Sequence, residues 1–293
     1  MSNNTDNDDI NLSELIDILW DGKFKIIIIT AIFAIGSVLY ALSIPNQYKA
    51  STLLAPAQSS QSGLSSALGQ LGGIASLAGV NLSDGETNES QIAQEVMKSW
   101  SFIESFIEEN DLAVQIFAAE GWDKNTNELI INNNIYNTIT DEWLIEDENG
   151  LKGPPSSWHL FKKFSGKVVI NEDKFSGLIN VSIEYYSPFL AKKWLDLYVK
   201  AINSHMQKRE VVKVTNNINY LEAQIEKTSI NEMQDVFYSI IEEQIKKKML
   251  TEASPDYAFV AVSPSMIPEQ RSQPKRAYIC IIVTLIGGVL SLL

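Results

Sequence analysis

The chain has 293 residues, 45% of them hydrophobic, and a formal net charge of −13 at pH 7. That length can bury a real core in one or two domains, and so acidic a surface repels polyanions, which excludes DNA or RNA as a partner. The single cysteine, Cys280, sits in an apolar run, so no disulfide can form elsewhere and cysteine usage does not reveal the compartment.

The first nine residues are polar and acidic and read as a disordered tail. Asn11 to Trp20 reads as a short amphipathic helix, with Leu12, Leu15, Ile16, Leu19 and Trp20 on one face beside Glu14 and Asp17. Its acidic polar face disfavours anionic lipid, so packing against a neighbour is expected. An apolar run over 24–44 follows, with Lys25 at its start as its only charge. A bilayer core needs about 20 such residues in a helix, and no polar stripe marks this run as a soluble core helix. Ala41-Leu42-Ser43 resembles a signal cleavage site, but the segment before the run is acidic and the run exceeds the about 7–15 apolar residues of a signal peptide, so a retained anchor is expected.

Tyr48–Ala55 has strand composition, and 58–83 is rich in Ser, Gly, Ala and Leu, the composition of a mobile loop. Its glycines are not followed by the Lys-Ser/Thr of a phosphate cradle. Gln91 to Glu109 reads as one helix, because Ile92, Val96, Trp100, Ile103 and Ile107 recur every three or four residues. Residues 84–148 hold 16 acidic side chains against two basic, and 152–213 hold 11 basic against five acidic. Two solvated faces explain this, and so does a contact between subunits of opposite charge. A hairpin is expected where 167–170 and 178–185 bracket a turn with Gly177 near its end, its second strand alternating Ile179, Val181, Ile183 and Tyr185 with polar residues.

Ser187-Pro188 opens a helical run to about Ala253 with no internal Gly or Pro. Leu190, Trp194, Leu197 and Ala201 begin an apolar stripe that Val214, Ile218, Leu221 and Ile225 continue. Ser229 and Glu232 have the spacing of a capping box, so a second helix should begin there after a reversal. Even the first part, 188–228, would be about 60 Å long. A domain this small cannot cover such a helix, so the stripe, and Leu221 and Ile225 in particular, is expected to meet partner helices in coiled-coil fashion. Tyr257–Val262 reads as a strand alternating Tyr257, Phe259 and Ala261, after which Pro264, Pro268 and Pro274 keep the chain extended. A second apolar run covers 277–293, with Gly287 and Gly288 placed where a close helix contact needs small residues, Gly36 and Ser37 of the first run being the matching surface.

Lys23 and Lys25 flank the first run and Arg271, Lys275 and Arg276 the second. Those flanks lie on opposite sides of a membrane, so the positive-inside rule pulls both ways, with a slight pull toward a cytoplasmic loop, and orientation stays open at this point. Chemistry is sparse. His159 and His205 lack a second ligand at helical spacing. Asp6-Asn7-Asp8 lies in the tail, and Ile145 occupies a ligand position of the calcium-loop-like stretch ending at Gly150. No nucleophile elbow or Walker lysine occurs. A scaffold without catalytic residues, cofactor or metal is the expected class.

Three stretches resemble the Wzz-type polysaccharide co-polymerases: INLSELIDILW at 10–20 with Gly22-Lys23, PNQYKA at 45–50, and the set YLEAQ at 220–224, IEEQ at 241–244 and PEQRSQPKR at 268–276. Ser187-Pro188 stands where the family has Asp-Pro, a mild departure because serine also caps helices. The resemblance implies an α+β fold, a membrane-proximal α/β base with long projecting helices between two transmembrane helices. It divides the chain into a cytoplasmic tail (1–23), a first span (24–44), a periplasmic domain (45–276, with the helical run 188–253) and a second span (277–293), in the bacterial inner membrane. It further implies a ring-like homo-oligomer without bond chemistry that acts on the O-antigen polymerase, with the lipid-linked polysaccharide as a further expected partner, and Pro268 and Pro274 as contact residues. Rivals are a capsule or exopolysaccharide co-polymerase of the same build and, from another class, a membrane-anchored periplasmic sensor; a periplasmic hydrolase is a third. The sequence ends inside the second run, without a cytoplasmic tail or the tyrosine-kinase domain of a related branch, and leaves open whether the chain continues.

Overall fold

The structure, a computed structural model, describes residues 23–57, 85–146 and 150–291, with side chains from Glu89 onward in the second range. The expected amphipathic helix at 11–20 and the glycine-rich stretch at 58–83 lie outside the described residues. Two compact units divide the chain, one formed by 1–47 with 271–293 and the other by 48–270.

In the first unit, α1 (Lys23–Ser43) is a 21-residue helix of mean hydropathy 2.4, and it is the one helix among the described residues long and apolar enough to cross a membrane. The second apolar run begins its helix only after Pro274; α8 (Arg276–Leu290) has 15 residues, about 22 Å, where the sequence reading expected 277–293. The two helices run antiparallel, since Arg276 at the start of α8 reaches the end of α1 and Gly287 near its finish meets Phe33. Arg276 Nε donates to the Ala41 carbonyl at 2.9 Å and Nη2 to Asn46 Oδ1 at 3.1 Å. A cation at the carbonyl end of a helix also complements its dipole. The buried residues of the pair are small: Ser37 and Ala41 on α1, Gly287 on α8. The helices therefore approach closely, with the Gly287 backbone against the Phe33 side chain.

In the second unit, β1 (Gln47–Pro56), β6 (Val168–Glu172), β7 (Ile179–Tyr185) and β8 (Phe259–Ser263) form an antiparallel sheet in the order β6-β7-β1-β8. β1 pairs with β7 from Tyr48↔Tyr185 to Leu54↔Ile179, and β6 pairs with β7 across the expected hairpin, whose Gly177 takes a φ of 68°. Ser182, expected on the wet face of β7, is buried. β8 differs from its expected alternation: it lies at the end of the strand order, and only Phe259 is buried while Val260 to Ser263, Ala261 included, are exposed.

The expected single helix over 91–109 is two, α2 (Gly85–Lys98) and α3 (Trp100–Glu109). Ser99 ends the first by donating from its hydroxyl to the Val96 carbonyl and starts the second by accepting from the Phe102 amide. Short helices α4 (Ala113–Phe117) and α5 (Ser157–Ser165) and two small hairpins follow, β2 (Ala119–Asp123) with β3 (Glu128–Ile131) and β4 (Tyr136–Asn137) with β5 (Glu142–Trp143). The core lies between the inner face of β7 and the first half of α6 (Pro188–Ile225): Ile179, Val181, Ile183 and Tyr185 pack with Trp194, Leu195, Tyr198 and Ile202, and Met97, Phe106 and Phe164 join the same cluster. Each such side chain contributes about 1.5–3 kcal/mol on full burial. The buried phenols keep partners: Tyr185 donates to the Gln115 carbonyl at 2.5 Å and Tyr198 to the Met97 carbonyl. Burial pushes both phenols well up from their ordinary value.

Candidate assembly surface

Ser187 caps α6 by accepting from the Leu190 amide, and Pro188 occupies the first turn, where its missing N–H has no intrahelical use. The helix then runs for 38 residues, about 57 Å. It ends at Ile225, and α7 (Asn231–Glu252) returns along it. The reversal differs from the expected capping box: Ile230, not Ser229, is the N-cap, and no side chain caps there. Gln234 closes the turn instead, its amide donating to the Thr228 carbonyl at 2.9 Å.

At the base of this hairpin the side chains are polar and specific. Asn203 is buried, donates to the Phe259 carbonyl at 2.8 Å and accepts from the Ala258 and Phe259 amides, which ties α6 to β8. Gln207 donates to the carbonyls of Thr251 and Ser254, both at 2.9 Å, and so satisfies the carbonyl end of α7. Glu210 is buried and ion-paired with Lys247 at 2.6 Å and Lys213 at 3.6 Å. Asn203, Met206, Glu210 and Val214 share one helical face at spacings of three and four, a signal the apolar-stripe reading passes over because two of the four are polar.

Val214 and Ile241 are the last buried pair; between them, from 215 to 240, no side chain is buried. Leu221 and Ile225 are half-buried, because the return helix covers part of the stripe that the sequence reading assigned wholly to other subunits. A different apolar set faces solvent: Tyr220 (64% exposed), Ile230, Met233, Val236 and Tyr238. Of the other expected contact residues, Pro268 and Pro274 are half-buried, the Gln273–Pro274 peptide is cis, Gly287 is buried and Gly288 is half-buried. Gly36, expected opposite the glycine pair, has nothing within 4 Å of an added Cβ; the surface opposite Gly287 is Phe33.

His159 shares a hydrogen bond with Ser156 Oγ at 2.8 Å, and His205 stands edge-on to Phe102, ring centroids 5.5 Å apart. Among the described residues, no cluster of three or more His, Cys, Asp or Glu is placed to hold a metal ion.

Residues 8–110, about a third of the chain, match the family of the Wzz chain length determinant protein, and this bears out the resemblance to Wzz-type co-polymerases. No curated protein sequence matches the chain. Among solved structures, a full-length bacterial polysaccharide co-polymerase aligns over 96% of this chain and 95% of its own at 14% identity, with a TM-score of 0.37. A fragment of the polysaccharide co-polymerase WzzB from Salmonella Typhimurium aligns over 78% of this chain and all of its own at 9% identity, with a TM-score of 0.34. Scores this low support no conclusion about the present chain.

Proposed function

We propose that this chain is a non-catalytic membrane scaffold that sets the length of a surface polysaccharide, the O-antigen, built by a membrane polymerase. The observation that carries the reading is the match of residues 8–110 to the chain length determinant family, which begins before α1 and continues through α3. In this reading α1 and α8 both span the inner membrane, residues 48–270 are periplasmic, and several copies form a ring through the exposed apolar set on α6 and α7. Such a set is uncommon on a helical hairpin left alone in water, where burial against another helix is worth about 25 cal/mol per Å². The scaffold works by holding the polymerase and its lipid-linked product, not by breaking bonds. Gel analysis of lipopolysaccharide from a strain lacking the chain tests this. Loss of a preferred O-antigen length, restored by the chain on a plasmid, is expected. An unchanged O-antigen ladder with an altered capsule or secreted polysaccharide would move the assignment to those polymers, and no change in any surface glycan would refute it.

A further inference from the structure

α7 carries apolar side chains around more than half of its circumference, although α6 covers only one strip of it. Phe237, Ile241, Gln244, Lys248 and Thr251 recur at spacings of four, three, four and three. Ile241 and Thr251 are buried and the other three half-buried, so this row is the one that meets α6. At about 100° per residue, Met233, Val236 and Ile240 fall together on one side of that row, and Tyr238, Ile245 and Met249 on the other. All six are exposed. The remaining side is polar. Asp235, Ser239, Glu242 and Lys246 follow one another along it in solvent, and Lys246 Nζ stands 2.6 Å from Glu242 Oε1.

A helix packed on one neighbour needs a single apolar stripe, about 100° wide or somewhat more. Two further stripes, held apart by the row already in use, need two further neighbours. A foreign helix would fill one flank and leave the other in water. Two copies of this chain related by a two-fold axis would set one flank against itself and leave the other bare. Copies repeated head to tail set the first flank of each against the second flank of the next, so one kind of contact covers both stripes on every copy. The side chains suit that pairing: the Tyr238 ring can meet aliphatic and thioether groups while its hydroxyl stays wet at the polar edge. We propose that α7 is a two-sided contact element. The flank of Met233, Val236 and Ile240 on one copy packs on the flank of Tyr238, Ile245 and Met249 on its neighbour, with each copy's own α6 behind and the polar row outward. The contact rests on the assembly reading above and gives that assembly its direction.

The test is the particle mass of two complementary variants of the full chain in detergent, measured separately and mixed. Val236→Glu with Ile240→Glu blocks the first flank, and Tyr238→Glu with Ile245→Glu blocks the second, because a carboxylate buried there would lack a partner. All four positions are exposed in the single copy, so circular dichroism should show unchanged helix content. The wild-type chain should exceed two copies. Each variant alone should be a single copy, since no intact pair of flanks remains. An equimolar mixture should double that mass and stop there, because one intact contact forms and both outer flanks are blocked. A wild-type particle of one or two copies overturns the proposal, as does either variant assembling like the wild type, or a mixture that stays single or grows beyond two. Wild-type particles larger than two copies with a mixture that stays single sink the flank assignment alone. Unchanged surface glycans in the deletion strain, with the mixture forming its pair, sink the chain-length reading and leave the flanks standing.

Discussion

Alanine at Gly287 is the sharpest test of the α1–α8 pair, because its neighbour Gly288 provides an internal control. A Cβ at Gly287 would lie 2.5 Å from both Cβ and Cγ of Phe33. Carbon atoms in good contact stand about 3.5–4.0 Å apart, so the overlap is about 1 Å. Rotating the phenyl ring does not relieve it, since Phe33 Cβ is fixed to the backbone. The helices must separate, and overpacking of this kind costs about 1–3 kcal/mol. Alanine returns about 1 kcal/mol of helix propensity over glycine, which leaves a net loss of up to about 2 kcal/mol. At Gly288 the nearest atom to an added Cβ is Thr30 Oγ1 at 4.0 Å, an ordinary contact, so the propensity gain stands alone. The two substitutions should therefore differ in sign. Thermal denaturation of the purified chain in detergent, followed by circular dichroism, measures the difference. In cells, Gly287→Leu with Gly288→Leu should leave insertion intact and change the polymer-length distribution. If Gly287→Ala is as stable as Gly288→Ala, the close approach of these helices is wrong.

A periplasm-dependent reporter fused after Ser90 should be active, and activity of a cytoplasm-dependent reporter there instead would reverse the proposed orientation. Val236→Asp with Tyr238→Asp should lower the particle mass in detergent without loss of helix content, and Leu221→Asp with Ile225→Asp should do so while also loosening the hairpin; a wild-type chain that is a monomer at every concentration tried would refute the assembly. Lys247→Met should destabilise by about 1–3 kcal/mol, at or below the usual range for a broken buried pair because Lys213 stays near Glu210, whereas Glu210→Leu with Lys247→Leu should be near neutral in chemical unfolding. His205 is held below its ordinary value by burial first and then by Arg209 and Lys208, with Glu109 opposing. The unfolded chain therefore takes up that proton first, so stability should fall as pH drops below about 6.5, and His205→Gln should flatten this part of a melting-temperature profile against pH.

The parts legible in the sequence are those set by adjacent residues. Ser187-Pro188 marks the start of α6, Gly177 the turn between β6 and β7, and the apolar run after Lys25 marks α1. What the periodicity hides is a break inside a continuing pattern. Ile92, Val96, Trp100, Ile103 and Ile107 keep their helical spacing across Ser99, yet its two hydrogen bonds end one helix and begin another, and Trp100, the first residue after the break, is 45% exposed instead of buried. A local cap thus outweighs a stripe read over many residues. The packing of α3 on α6 is hidden for a different reason: Phe102 and Phe106 meet Tyr198 edge-on only in the folded chain, and no local pattern connects residues so far apart in sequence. The hairpin shows the same limit acting on function. An apolar stripe on a long helix says that something covers it, not what does. Here α7 returns to half-cover Leu221 and Ile225, and the reversal turns Val236 and Tyr238 of the covering helix outward. The residues free to meet another subunit are therefore chiefly those of the covering helix, which is why substitutions at Val236 and Tyr238 separate assembly from folding and those at Leu221 and Ile225 do not.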